Sequence, residues 1–359
     1  MKLLFVIQGM QSGGAERVMS VICNSLVDQG HSVSLAITEN NSPFAYQLKP
    51  EITIKDITNP KGTNVIKGRL QNIKKISRIC KAEHPDAVVS FITRTNICAI
   101  AAGLLVRTPV IISERNDPMR DPKSKSTRAL RSMLYPFASG CVFQTSYAMN
   151  CFSNRVRRNS KVIYNPINDA VYEAKKDGAR NNTIVSVCRL NKQKNLSMLI
   201  NAFNKADKIV PGYILEIYGE GEEEDNLKSQ IHNLHLENKT FLRGHTSDPF
   251  SVLSRSAIFA LSSDYEGMPN ALIEALCMGC ACVSTDSPAY GARELIENGV
   301  NGLLVPVADE EAFSKALVEL MNNQEQREEL GRNARQVIGR VDTKDIVNQW
   351  VEFIKTKIR

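Results

Sequence analysis

The chain has 359 residues, which is long for one domain and typical of two, and its 43% hydrophobic and 23% charged residues match soluble proteins with an ample core. No run approaches the roughly 18 consecutive apolar residues of a membrane-spanning helix. The N-terminal LLFVIQGM indicates a first strand rather than a signal peptide. Nine cysteines, an odd number at scattered spacings, predict reduced thiols and a cytoplasmic location.

The charge is unevenly divided along the chain. Residues 1–166 carry 23 Lys or Arg against 10 Asp or Glu, a net charge of +13, whereas the remainder carries 22 against 28, a net charge of −6. A basic half predicts contact with something anionic: nucleic acid, a phosphorylated substrate or a membrane surface.

Strand-like apolar runs alternate with helix-period segments. The first series of predicted strands covers residues 3–8, 32–38, 52–57, 86–91, 109–114, 140–146 and 161–166. A second series covers 183–190, 213–219, 240–244, 258–263, 280–286 and 302–307, and three helical segments follow. Because this alternation produces parallel sheets with crossover helices, we predict an α/β fold of two doubly wound, Rossmann-like domains that face a cleft. The domains are predicted at 1–166 and 183–340, with a polar linker at 167–182 and a final helix at 341–359 that crosses back to the first domain.

Two loops that follow predicted strands have features of phosphate sites. In QGMQSGGAER (8–17), Gly13 and Gly14 open a helix, so that backbone N–H groups can approach a phosphate; a tight turn that requires glycine is the alternative. In CRLNKQKN (188–195), Arg189 and Lys194 form a candidate diphosphate clamp. A cation about 4 Å from a phosphate oxygen contributes roughly 4 kcal/mol at an effective dielectric near 20. Two solvated surface charges are the alternative interpretation.

Two further loops lead from strands into helices. In YGEGEEEDNLK (218–228), Gly219 and Gly221 form either one wall of a nucleotide-binding pocket or a simple turn. In DYEGMPNALIEAL (264–276), Glu266 precedes a Gly-Met-Pro turn, Pro269 takes a first helical position, and Glu274 lies inside the helix. The first N–H groups of that helix stand at the positive end of its dipole, which suits a phosphate or sugar hydroxyls.

These motifs together resemble the GT-B glycosyltransferases of the large retaining family 4. EGMPNALIE fits the E-x7-E motif of that family, Arg189 and Lys194 match its Arg and Lys pair, and GGAE matches its N-terminal glycine loop. STDSPAYGARELIENGVNGLLVP (284–306) resembles its closing segment, so the resemblance spans the whole chain. More narrowly, the chain resembles members that assemble lipid-linked oligosaccharides and capsular or O-antigen repeats.

The resemblance implies a role for each matching residue. Arg189, Lys194 and Glu266 are the implied catalytic residues: the two cations neutralise the departing nucleotide, and the carboxylate holds the donor sugar. The implied donor-binding residues are Gly13, Gly14, Gly219, Gly221, Gly267, Met268, Pro269, Asn270, Ala271 and Glu274, the last of which holds the ribose. The first domain is then the acceptor side, and the second binds the sugar nucleotide.

The implied enzyme is a metal-independent hexosyltransferase without a cofactor. It moves a sugar from a UDP-linked donor to a polyprenyl-diphosphate-linked glycan, with retention of configuration, in bacterial surface polysaccharide or glycoprotein glycan assembly. A glycosidase is disfavoured, because hydrolases place one acid at the leaving oxygen and another at the opposite face of the sugar. A GT-B sugar-nucleotide epimerase or phosphorylase and a non-catalytic sugar-nucleotide-binding subunit are the alternatives.

Three other features carry hypotheses. Residues 63–83 form a basic amphipathic helix, for which we predict contact with the anionic inner face of the cytoplasmic membrane. A face exposed to solvent is the alternative. No nucleic acid is expected as a partner. Cys277, Cys280 and Cys282 are expected to pack in the core rather than bind metal. In SERNDP (113–118), Arg115 stands where many family members have a histidine, and it is a candidate contact for the donor phosphate or the acceptor diphosphate. A local pair with Glu114 or Asp117 is the alternative.

Overall fold

The computed structural model describes residues 1–11, 13–40, 43–174 and 180–358. The chain divides into two units: Met1–Pro166 with Asp342–Arg359, and Ile167–Val341. Each unit is built on its own parallel sheet, as the alternating pattern predicts.

The first unit contains seven parallel strands in the order β3-β2-β1-β4-β5-β6-β7. Its strands are β1 (Lys2–Ile7), β2 (Ser32–Ile37), β3 (Thr53–Asp56), β4 (Ala87–Phe91), β5 (Val110–Ser113), β6 (Gly140–Phe143) and β7 (Ser160–Val162). The helices between them are α1 (Gly14–Asp28), α2 (Val65–Glu83), α3 (Thr93–Val106), α4 (Lys125–Leu134), α5 (Ser146–Asn150) and α6 (Asn154–Arg158), with a 3-10 turn at Tyr135–Phe137.

The second unit contains six parallel strands in the order β10-β9-β8-β11-β12-β13. Its strands are β8 (Asn181–Val187), β9 (Ile214–Tyr218), β10 (Thr240–Leu242), β11 (Ser256–Leu261), β12 (Ala281–Thr285) and β13 (Leu303–Val305). Its helices are α7 (Ala170–Glu173), α8 (Leu196–Ile209), α9 (Glu224–Asn233), α10 (Pro249–Arg255), α11 (Asn270–Cys277), α12 (Glu310–Asn322), α13 (Gln324–Ala334) and α14 (Ile338–Val341), with 3-10 turns at Lys192–Lys194 and Arg335–Val337.

The last helix, α15 (Thr343–Lys355), returns to the first unit, as the sequence predicts. Its Trp350 is fully buried in the same core cluster as Phe5 of β1 and Ile22 of α1, and its ring centroid lies 5.7 Å from that of Phe91. The opposite face of this sheet packs against α2, α3 and α4 in a second cluster. Both faces of the central strands are therefore buried, which explains their nearly continuous apolar runs.

The predicted linker at 167–182 lies partly outside the described residues, at 175–179. Ile167 and Val171 before that gap are buried and are counted with the second unit. The strand predicted at 183–190 covers Asn181–Val187, so that its last three predicted residues belong to the following loop.

Helix α2 is packed along only half of its length. Ile76 is fully buried and Ile73 packs against the same cluster, whereas Val65, Ile66 and Leu70 are 70%, 73% and 63% exposed. The single apolar side predicted for this helix is therefore divided into a buried C-terminal part and an exposed N-terminal part. Among the described residues, no helix is long and apolar enough to cross a membrane.

Candidate active site

Most of the predicted site residues lie at one edge of the sheet of the second unit. Strands β9, β8, β11 and β12 are neighbours and run parallel, so the loops that leave their carboxyl ends converge. Arg189 and Lys194 follow β8, Gly219 and Gly221 follow β9, and residues 266–271 follow β11. The segment 286–294, which follows β12, completes the set of four adjacent loops.

The two glycines after β9 are required by backbone packing. Gly219 has a φ of +143°, and a Cβ added there would overlap the carbonyl oxygen of Cys188. At Gly221 an added Cβ would overlap the carbonyl oxygen of Leu190. Backbone hydrogen bonds join the same segments: the N–H of Cys188 donates to the Tyr218 carbonyl at 2.9 Å, and the N–H of Leu190 donates to the Glu220 carbonyl at 2.9 Å. The glycines therefore support the loop that carries Arg189, whose side chain is exposed.

Hydrogen bonds also join the loop after β8 to the loop after β11. Three connect side chains to the opposite loop: Ser262 Oγ to the Lys194 carbonyl, Gln193 Nε2 to the Tyr265 carbonyl, and Asn195 Nδ2 to Asp264 Oδ1, each at 2.8 Å. In addition, the N–H of Asp264 donates to the Gln193 carbonyl at 2.9 Å. The loop that carries Lys194 and the loop that carries Glu266 therefore form one connected platform.

Lys194 and Glu266 form an ion pair on that platform. Lys194 Nζ donates to Glu266 Oε1, and Ser263 Oγ donates to the same oxygen at 2.7 Å. The two charged side chains are only 14% and 11% exposed, so each is substantially removed from water and depends on the other. The sequence identifies both residues but does not reveal their contact, since they are separated by 72 positions.

The helix after this loop begins one residue later than predicted. Pro269 is the N-cap, with φ −78° and ψ 113°, and α11 starts at Asn270, so Pro269 precedes the first helical position. The first-turn N–H groups of a helix have no partner within it, and they carry the positive end of the dipole toward the strand edge. Glu274 lies one turn further along α11 and is 2% exposed. This arrangement can hold an anion at the helix start and hydroxyl groups on either side of it.

The cysteines near α11 pack in the core, as expected. Cys277, Cys280 and Cys282 are fully buried, and burial raises the pKa of the Cys280 and Cys282 thiols. Cys280 Sγ donates to the Leu253 carbonyl at 3.2 Å and accepts from Arg180 at 3.3 Å. These contacts favour a packing role for the cluster.

The remaining predicted residues lie at the carboxyl edge of the sheet of the first unit. Gly13 caps α1 and Gly14 is its first residue, after β1, whereas Arg115 follows β5. Gly13 has a φ of −166°, which any residue adopts, so its conformation does not require glycine. Of the predicted glycine loop, Ser12 lies outside the described residues. The charge of Glu16 in the first turn of α1 acts on Arg115, which places the two predicted features near each other.

Arg115 is held by contacts that the sequence does not reveal. Its guanidinium lies 4.6 Å from the centre of the Phe91 ring, donates to Asn165 Oδ1 at 2.6 Å and donates to Ser113 Oγ at 3.3 Å. Its buried Nε has no hydrogen-bond partner among the described residues. Burial lowers the pKa of Arg115 to about 9, while the Glu16 carboxylate raises it. This pKa is below the ordinary range of arginine, yet Arg115 remains a cation at neutral pH.

The local pairs considered for Arg115 are not what the structure shows. Glu114 turns into the core, where it accepts hydrogen bonds from Thr93 at 3.0 Å and from Tyr135, and burial raises its pKa. Asp117 accepts from the N–H of Met119 at 2.8 Å. Arg115 is thus oriented by Phe91, Asn165 and Ser113 rather than by Glu114 or Asp117.

Comparisons with known proteins agree with this architecture. Residues 172–337 match the family model described as glycosyl transferases group 1, and residues 12–171 match that described as Glycosyltransferase Family 4. The structure of HepE from Anabaena, in complex with UDP and glucose, superimposes with a TM-score of 0.85 and 22% sequence identity over 99% of both chains. The structure titled crystal structure of TarM has a TM-score of 0.82 and 14% identity over 98% of both chains.

Two relatives come from Campylobacter jejuni. The first is named GalNAc-alpha-(1->4)-GalNAc-alpha-(1->3)-diNAcBac-PP-undecaprenol alpha-1,4-N-acetyl-D-galactosaminyltransferase and is 28% identical over 99% of this chain and 98% of its own length. The second, an N-acetylgalactosamine-N,N'-diacetylbacillosaminyl-diphospho-undecaprenol 4-alpha-N-acetylgalactosaminyltransferase, is 29% identical over 93% of this chain and 94% of its own length. The two family models together account for nearly the whole chain, and this protein is a GT-B glycosyltransferase of group 1 with an N-terminal half of the family 4 type.

Proposed function

We propose that this enzyme transfers a hexose from a UDP-linked donor to a polyprenyl-diphosphate-linked glycan, in bacterial surface polysaccharide or glycoprotein glycan assembly. The observation that carries the proposal is the convergence of Arg189, the Lys194–Glu266 pair and the start of α11 at one sheet edge. Names of relatives support the acceptor class, since both Campylobacter enzymes are named for undecaprenol-linked substrates. The UDP and glucose in the HepE structure support the donor class.

The donor diphosphate is proposed to lie between the exposed guanidinium of Arg189 and the first turn of α11. Both groups offer positive potential to the leaving nucleotide, and Lys194 adds a third donor beside Glu266. Glu266 and the backbone of residues 267–271 then hold the hydroxyls of the hexose, and Glu274 holds the ribose. In this arrangement the cations supply the charge stabilisation of the transition state, so that the reaction needs neither a metal nor a cofactor.

Retention is proposed to arise from attack on the face that the nucleotide leaves. The acceptor oxygen forms a bond to the anomeric carbon while the bond to the phosphate oxygen breaks, and the acceptor proton passes to that phosphate oxygen. Arg115 does not serve as the base in this step, because it is a cation at neutral pH and its bonds to Asn165 and Ser113 are donated. Its proposed role is to bind an anionic oxygen of the acceptor diphosphate or of the donor.

The proposed membrane contact is the N-terminal half of α2. Its exposed Val65, Ile66 and Leu70 are accompanied by exposed Lys61 and Lys67. Arg69 Nη2 donates to Thr127 Oγ1 at 2.9 Å, and this bond joins α2 to the start of α4. Lys125 in the first turn of α4 and Lys123 just before that helix are both exposed. Apolar side chains within a basic rim suit the surface of an anionic bilayer, so we propose peripheral association at the cytoplasmic face of the membrane.

A direct test combines donor binding with turnover. The protein is first screened for thermal protection by nucleotide sugars, and the best donor is then supplied with undecaprenyl-diphosphate-linked saccharides in the presence of EDTA. We expect a glycan product that is longer by one hexose of retained configuration, at a rate that EDTA leaves unchanged. Epimerised sugar nucleotide would support the epimerase instead, and donor binding without turnover would support the non-catalytic subunit.

A further inference from the structure

The segment after β12 forms a wall against the loop that carries Glu266. A Cβ added at Gly291 would overlap the carbonyl oxygen of Gly267 and would lie 3.0 Å from the Cα of Met268, so the two backbones are in direct contact. Thr285, the last residue of β12, donates through Oγ1 to the Ser263 carbonyl at 2.5 Å. Residues that immediately precede Gly291 are therefore fixed beside the proposed donor-sugar loop.

Tyr290, the residue before Gly291, has a strained backbone. Its φ is +59°, in the left-handed region that an aromatic residue seldom occupies. Two backbone hydrogen bonds hold it there: its N–H donates to the Ser287 carbonyl at 2.9 Å, and its carbonyl accepts from Glu294 at 2.8 Å. Glycine would adopt this conformation without strain. A bulky residue kept in such a position beside a binding loop points to a function for its side chain.

The ring of Tyr290 is supported from one side and partly open to solvent. The Arg293 guanidinium lies 4.6 Å from the ring centre, and Arg293 is itself fixed by two hydrogen bonds to the carboxylate of Asp286, one of them from Nε at 3.0 Å. Tyr290 remains 37% exposed, so the ring is not buried in the core. This stack of Asp286, Arg293 and Tyr290 presents a rigid aromatic surface at the carboxyl edge of the sheet.

We propose that the ring of Tyr290 contacts the hexose of the nucleotide sugar and thereby contributes to the choice of donor. The inference rests on the proposed function, which places that hexose on the Gly267–Ala271 backbone. The C–H groups of a pyranose carry partial positive charge and meet the negative face of an aromatic ring favourably, and the orientation of hydroxyl or N-acetyl groups decides how closely the ring can be approached. Tyr290 adds a selective apolar contact to a pocket otherwise described by charges and N–H groups.

Three substitutions separate the ring from the backbone strain. Tyr290→Phe keeps the ring and the strain, Tyr290→Ala removes the ring and keeps the strain, and Tyr290→Gly removes both. The measurements are thermal protection by UDP, UDP-glucose, UDP-galactose, UDP-GlcNAc and UDP-GalNAc, together with kcat and the donor KM for the best donor. We expect Tyr290→Phe to stay within twofold of wild type, whereas Ala and Gly lose about tenfold in kcat/KM for the donor.

Stability provides the second readout. Tyr290→Gly should raise Tm while it lowers activity, because strain is relieved as the sugar contact is lost. His235→Gly is the matched control: it removes an exposed aromatic side chain at a φ of +56°, in the connection between α9 and β10 and away from the proposed site, and should raise Tm without changing activity. Protection by UDP alone should be the same in wild type and every Tyr290 variant.

The outcomes distinguish the inference from the proposed function. Three results would overturn the assignment of Tyr290. They are donor selectivity in Tyr290→Ala equal to that of wild type, an effect of the substitutions confined to the acceptor KM, and a fall in Tm in both the Ala and the Gly variant. If no nucleotide sugar protects or reacts with wild-type protein, the proposed function fails before Tyr290 is tested. A wild type that selects among donors, with variants that bind UDP normally but select less, supports both.

Discussion

Because Lys194 and Glu266 form an ion pair, a substitution of either residue also changes the environment of the other. Each side chain is mostly shielded from water, so removal of one leaves the other as a poorly solvated charge. Arg189, in contrast, is exposed and its removal leaves no such charge. Two residues that the sequence treats as an equivalent pair are therefore expected to behave differently when mutated.

We predict that Arg189→Ala lowers turnover by two orders of magnitude or more, a loss of about 3 kcal/mol in transition-state stabilisation. The free energy of unfolding should remain unchanged. Lys194→Ala should lower turnover similarly but also destabilise the fold, by about 3 kcal/mol if the carboxylate stays charged. Steady-state kinetics and urea denaturation measure the two quantities separately.

The double variant Lys194→Met, Glu266→Gln is the control for the ion pair. It removes both charges and keeps similar volumes, so stability should return toward the wild-type value while activity stays low. Near-normal turnover in Arg189→Ala and Lys194→Ala would show that the diphosphate is bound elsewhere.

A second prediction at this scale concerns Arg115. We expect Arg115→Lys to be strongly impaired, since lysine keeps the charge but loses the planar group that rests on Phe91 and donates to Asn165. Arg115→His should not improve the rate. Initial rates of the three forms with the lipid-linked acceptor provide the measurement.

Asn165→Ala controls for a purely structural role of Arg115. It removes the same hydrogen bond but leaves the guanidinium in place, and Asn165 also accepts from Gln144 at 2.7 Å. If Arg115 binds an anion, Arg115→Lys should lose more activity than Asn165→Ala at equal loss of Tm. Wild-type activity in Arg115→Lys would remove this residue from the site.

At the scale of an element, α2 shows why net charge alone does not define a membrane surface. Lys75, one of the basic residues of this helix, donates to the carbonyls of Ile57 and Thr58 at 2.9 and 2.8 Å, so it anchors the helix to the loop after β3. A substitution that reverses the charge of Lys75 would therefore disturb the fold as well as the charge of the surface. The exposed N-terminal half of the helix is the part that can be altered without that effect.

We predict that the triple substitution Val65→Ser, Ile66→Gln, Leu70→Gln abolishes sedimentation with anionic vesicles and leaves Tm unchanged, because these side chains are largely exposed. Binding of wild type should weaken as salt rises, since exposed charges are screened within about 8–10 Å. Ile209→Gln is the control, as it alters an equally exposed apolar residue of α8 in the second unit. Equal binding of wild type to neutral vesicles would return α2 to the solvated interpretation.

At the scale of the whole molecule, the sequence predicts the architecture well, because local signals specify it. Apolar strands bounded by polar loops fix two parallel sheets, and parallel strands place their carboxyl-end loops together. Residues such as Arg189, Glu266 and Gly219 are therefore found from motifs that lie next to strands. What the sequence does not give is how these loops touch.

Most of the missed features depend on contacts between residues distant in sequence. Lys194 meets Glu266, Gly291 meets Gly267, and Arg115 meets Asn165, and no local pattern encodes these pairs. The sequence presents the glycines at 219 and 221 as turn signals, but the reason for them is a neighbouring backbone. Backbone strain at Tyr290 also has no sequence signature, since any residue can be forced into it by its surroundings.

The return of α15 to the first unit makes a testable statement about cooperativity. Trp350 is fully buried against Phe91, so Trp350→Ala should cost about 3–5 kcal/mol and lower the stability of the first unit. Since Trp350 is the one tryptophan of the chain, its fluorescence follows that unit alone in wild type, while far-UV circular dichroism follows both.

Phe203→Ala, at a fully buried position of α8, is the matched control in the second unit. In urea titrations we expect Trp350→Ala to shift the transition that coincides with wild-type tryptophan fluorescence, and Phe203→Ala to shift the other. If Phe203→Ala lowers the free energy of unfolding followed by tryptophan fluorescence as much as that followed by circular dichroism, the two units unfold together. The prediction of separate transitions would then be wrong.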